Sequence, residues 1–80
     1  MNNNQRAAAA RVALESFVPA VTHGRPLSDF PAETADYAKD LIIDLLHLIR
    51  LQTDTSEDAM EGVLTAIQLN YEAEVLEEDA

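Results

Sequence analysis

Asp40-Leu41-Ile42-Ile43-Asp44-Leu45-Leu46-His47-Leu48-Ile49-Arg50 decides the fold of this chain. With Ala38 in front, Ile42, Leu45, Leu46 and Ile49 recur at i+4, i+7, i+8 and i+11, the period of one helix face. Tyr37, Leu41, Leu48 and Leu51 add a flanking stripe. Asp36, Asp40, Asp44 and His47 leave only a narrow polar one, with Ile43 beside it. A helix apolar around most of its circumference needs cover on several sides, so it is expected to sit centrally. The spacing predicts this helix over about 31–52.

Thr53-Asp54-Thr55-Ser56 is a run of capping residues and marks a break. A third helix is predicted over about 56–76. Met60, Val63, Leu64, Ile67 and Tyr71 form its first stripe, and Glu57, Asp58 and Glu61 favour its N-terminal dipole. The tail 77–80 is expected to fray. Upstream, Gly24, Pro26, Ser28, Asp29 and Pro31 crowd into a loop. Ser28 or Asp29 is the expected cap of the second helix, with Pro31 in its first turn. Before that loop, Leu14, Phe17, Val18 and Val21 lie on one helix face, predicting a first helix over about 4–22, capped by Asn3 or Asn4. Pro19 removes a hydrogen bond, so a kink or an end near Ser16 is expected, and Gly24 is the natural stop. No alternating run with hairpin turns competes. The expectation is one all-α domain over 1–80, a small bundle of three helices that dimerises.

A chain of 80 residues buries only about 60–65% of its unfolded surface, so one core leaves little stability in reserve. The absence of cysteine excludes disulfides. Good packing or self-association must then supply stability. The third helix offers a second stripe for this: Gly62, Ala66, Leu69, Ala73 and Leu76. Gly62 and Ala66 are small and four apart, which permits close helix approach. With Ile43 these residues are the expected self-association surface of a homodimer.

The net charge is −10. Phosphate contacts need Lys and Arg, so direct nucleic-acid binding is not expected, nor is an anionic membrane surface. The longest apolar stretch is too short and too charged to span a bilayer, and the N-terminus lacks a signal-peptide run. The expectation is a soluble cytoplasmic protein. Charge is unevenly placed: residues 1–28 carry three Arg against one Glu, and residues 51–80 carry nine acids and no base. Asp54, Glu57, Asp58, Glu61 and Glu72 are the expected acidic contacts for a protein partner with a basic surface, such as a nucleic-acid-binding complex.

No catalytic, cofactor or metal site is expected. Asp44 and His47 are spaced i, i+3, but a metal in a helical bundle wants a second such set. Asp58 and Glu61 would supply one carboxylate set of a magnesium-dependent nucleotide hydrolase, and the partner set is missing. Ser16, Ser28 and Ser56 fall at loop or cap positions, and the two glycines make no phosphate loop.

Asp40–Arg50, then Asp58-Ala59, then Gln68-Leu69-Asn70-Tyr71-Glu72-Ala73-Glu74, resembles a pattern in short phage and prophage proteins, mostly of unknown function. There an apolar helix carrying Asp-Leu-x-His precedes a capped helix that ends in an aromatic-x-x-Glu sequence. The resemblance covers about residues 38–74. Asn70 stands where such proteins often have His, and the first helix has no counterpart. The resemblance implies a mobile genetic element. Two functions follow as expectations: an inhibitor of a host nucleic-acid-directed defence complex, of anti-CRISPR or DNA-mimic type, and a structural or accessory dimer bound through apolar faces.

Overall fold

The computed structural model describes residues 1–79 and consists of three helices with two short 3-10 turns between the first pair. No strand occurs among the described residues.

Helix α1 spans Asn3–Val21. Its cap is Asn2, one residue earlier than the sequence suggested. The Asn2 Oδ1 accepts from the Gln5 N–H at 2.8 Å, and the Gln5 Oε1 accepts from the Asn2 N–H at 2.9 Å. This reciprocal box satisfies two of the N–H groups at the start of the helix. The helix does not stop near Ser16. It runs through Pro19 and ends one turn later. A proline this close to the C-terminus forfeits only one of the last intrahelical bonds. The end is a Schellman turn, in which the Gly24 N–H donates to the Pro19 carbonyl at 2.8 Å. His23, with φ of 58°, is left-handed at that turn, and Gly24 follows at φ 90°. The Thr22 Oγ1 lies 2.7 Å from the Val18 carbonyl and 2.9 Å from the Arg25 carbonyl, and its proton serves both.

Leu27–Asp29 and Pro31–Glu33 are the 3-10 turns. Neither Ser28 nor Asp29 caps a helix. Pro31 opens the second turn, and helix α2 spans Thr34–Thr53. Asp54, at φ 51°, ends α2 with a second Schellman turn, the Thr55 N–H donating to the Arg50 carbonyl at 3.2 Å. Helix α3 spans Glu57–Asp79, past the expected end at Leu76. Its cap is Ser56, whose Oγ accepts from the Ala59 N–H at 3.2 Å. Ala80, the last residue of the stretch expected to fray, lies outside the described residues.

The core sits where α1, the first 3-10 turn and α2 meet. Leu14, Val18 and Leu27 are buried, and Phe17, Phe30, Tyr37, Ala38 and Leu41 pack against them. Phe30 and Tyr37 meet edge to face at 5.3 Å, with the Arg25 guanidinium 4.7 Å from the Phe30 ring centre. Helix α2 is less covered than its composition suggests. It has no fully buried residue, and Ile42, Leu45 and Leu48 of its apolar stripes are about half exposed. The reason is that α3 does not close over it. Of the stripe Met60, Val63, Leu64, Ile67 and Tyr71, only Met60 is buried. The radius of gyration is 14.6 Å, against about 12 Å for a compact chain of this length. The helices are splayed.

Candidate functional site

Two sets of contacts position α3. At its start, the Arg50 Nη1 lies 2.5 Å from the Glu57 Oε1, bridging the loop from α2. Near its end, the Asn3 Nδ2 donates to the Glu74 carbonyl at 3.2 Å, and the Arg6 Nε lies 3.9 Å from the Glu74 carboxylate. Arg6 is itself steadied by donating to the Asn3 Oδ1 at 2.9 Å. The far end of α3 is thus held by the first turn of α1. The basic start and acidic remainder of the sequence meet here, within one chain.

This leaves α3 with two distinct sides. Counting about 100° per residue from buried Met60, Leu69 falls about 180° away. Gly62, Ala66, Ala73 and Leu76 fall within about 60° of Leu69. All five are exposed, Leu69 at 60% and Leu76 at 68%. A Cβ added at Gly62 would meet nothing within 4 Å. The outer side of α3 is therefore an apolar strip with no neighbour on it. Ile43, expected to join that surface from the second helix, is exposed on α2.

The five expected acidic contacts do not form one cluster. Asp54 is the left-handed residue that ends α2, and Glu57 is paired with Arg50. Asp58 and Glu61 are exposed one turn apart, along one edge of the apolar strip. Glu72 shares that edge but lies about 16 Å further along the helix, and its carboxylate accepts from the Gln68 Nε2 at 3.3 Å. Asp58, Glu61 and Glu72 have no cationic partner among the described residues.

No protein-family model, no curated protein and no solved structure matches this chain. Its surface must therefore be interpreted from its own chemistry. No three His, Asp or Glu side chains converge as metal ligands among the described residues. No helix there is long and apolar enough to cross a membrane. Two concave surfaces among the described residues are open and mostly apolar. One, about 430 Å³, lies between α1 and α2, with Ala7, Ala10, Leu14, Ala38, Ile42 and Leu45 among its lining. A second, about 420 Å³, lies between α1 and α3.

Sequence reasoning missed three features. Leu27 and Phe30 anchor the core from a stretch that reads as loop. They are the only large apolar residues between Gly24 and Pro31, which is the signal that marks them. The Asn3–Arg6–Glu74 contact joins residues 71 positions apart and has no local signature. The Ala7 and Ala10 methyls, read only as helix formers, line both large grooves.

Proposed function

We propose that this chain is a non-enzymatic protein-binding module whose partner docks on the outer side of α3. The observation that carries the proposal is the unneighboured strip Gly62, Ala66, Leu69, Ala73 and Leu76, edged on one side by Asp58, Glu61 and Glu72. Gly62 and Ala66, small and four residues apart, let a partner helix approach closely at the strip's N-terminal end. Leu69 and Leu76 supply the large apolar contacts. A matching partner presents an apolar ridge with Lys or Arg along one side. The apolar strip provides the affinity, and the acids set orientation and speed of encounter.

The unpaired carboxylates favour a second reading. In it the acids themselves are the main contact, and the chain occupies a basic channel of a host nucleic-acid-directed complex as a phosphate mimic. This reading fits the mobile-element setting that the sequence pattern suggests.

The test is a pull-down from the host, followed by titration of the recovered partner against variants at several salt concentrations. The first reading expects binding that changes little with salt and is lost on Leu69→Asp. The mimic expects a steep fall with salt and loss on reversing Asp58 and Glu61 to Lys. Magnesium-dependent turnover of a nucleotide would overturn both readings.

A further inference from the structure

The groove between α1 and α2 and the groove between α1 and α3 share Ala7 and Ala10. They are therefore two halves of one valley. Its floor is the alanine face of α1. One wall is Ala38, Ile42 and Leu45 of α2, and the other is Tyr71 and Val75 of α3. Alanine methyls make up the middle of the floor, with Leu14 and the Arg6 and Arg11 stems beside them, so the valley stays open between the splayed helices. Beside it stands a ridge. Leu64, Ile67 and Tyr71 of α3 are all about half exposed or more, although they lie on the side of α3 that also carries buried Met60.

The amount of uncovered surface is large. The chain exposes 6182 Å², whereas a compact protein of 8.8 kDa exposes about 4,800 Å². The excess is about 1,400 Å² per chain, or about 2,800 Å² if two chains cover one another. That total is within the range of obligate homodimers and above that of most transient contacts.

We infer that the valley is filled by the α3 ridge of a second copy of this chain, and the second copy's valley by the first, about a two-fold axis. Three observations select a second copy over a different protein. Ridge and valley lie on the same chain and are both apolar, so two copies complement each other as an isologous pair must. The charged residues at the valley are Arg6, Arg11 and Glu74, each already paired within its own chain, Arg6 with Glu74 and Arg11 with Glu15. The valley therefore presents no unpaired acid to an incoming chain that also carries −10. Finally, the buried core is Leu14, Val18, Leu27 and Met60, too little for a chain that must fold before it meets anything else. A second copy is the one partner always present when the chain is made. This assembly uses the inner side of α3 and leaves the outer side free, so it stands or falls apart from the partner reading above.

Sedimentation equilibrium and thermal melts over roughly 1–100 µM test this. The expected result is a species of twice the 8.8 kDa chain mass and a melting temperature that rises with concentration. Ile67→Glu is expected to weaken association by roughly 100-fold or more, and Leu69→Glu, on the outer side, to leave it unchanged. Ile67→Glu can also unfold the chain. Isotope-filtered NMR on mixed labelled and unlabelled wild-type protein therefore gives a second readout, with contacts expected between the Ile67 methyls of one copy and the Ala7 and Ala10 methyls of the other. A single-chain species at the highest concentration overturns the inference, whether its melt is cooperative or not. So does a dimer lost on Leu69→Glu but kept on Ile67→Glu.

Discussion

His23 and Asp54 end the first two helices with the same backbone device. Each occupies the left-handed region, at φ 58° and 51°, where a side chain crowds its own carbonyl and glycine does not. Replacing either by glycine should therefore stabilise the fold, by about 1 kcal/mol for His23→Gly and about half that for Asp54→Gly, since Asp tolerates this region better. Urea melts of the two variants measure this, and a lowered midpoint would refute the assignment of these turns. Asp54→Gly also removes one of the acids that the sequence pointed to as a contact. If the acid edge is Asp58, Glu61 and Glu72, partner affinity should survive that change and fall on Glu61→Lys. The residue types at the breaks were legible in the sequence. Gly24, the natural stop on composition, does take a positive φ, 90°; that His23 before it would take one too was not legible, because it depends on where Pro19 let α1 end.

At the scale of elements, the first break matters more than its composition suggests. Leu27 belongs to a 3-10 turn yet is almost fully buried, against Leu14 and Val18. Leu27→Ala should cost about 2–4 kcal/mol. Leu51→Ala, at a residue 81% exposed on α2, should cost less than about 0.5 kcal/mol. Chemical denaturation of both variants checks the contrast, and equal effects would sink it. The loss at Leu27 is a large share of the roughly 4–12 kcal/mol that an 80-residue domain has in total. Helix number, type and approximate bounds follow from the 3.6-residue period, and α1, α2 and α3 appear within a few residues of the expected ends. Burial did not follow from it. Periodicity tells which residues share a face. It does not tell whether another element reaches that face, and the Leu64, Ile67 and Tyr71 stripe of α3 is the case in point. The site was legible to the same degree: the second stripe and the acids were visible as patterns, but the pairing of Glu57 with Arg50 and the structural role of Asp54 depend on how the loop between α2 and α3 turns.

For the whole molecule, charge sets the response to salt. The chain carries −10, and the four ion pairs among the described residues, Arg6–Glu74, Arg11–Glu15, Arg25–Asp29 and Arg50–Glu57, are all substantially exposed. Exposed pairs contribute little each, so repulsion among the remaining acids should dominate. The melting temperature is expected to rise as salt increases from about 10 mM to about 500 mM, where repulsion is screened. A fall over that range would mean that the ion pairs outweigh the repulsion. The contact between Asn3 and Glu74 also has a kinetic consequence. Almost every other contact in the molecule is local in sequence, which favours folding in microseconds to milliseconds. Closing a loop of 71 residues carries an entropic cost that local turns do not. That closure should come last in folding and open first in native-state hydrogen exchange, so that amides near Glu74 report a relaxation separate from the amides around Val18.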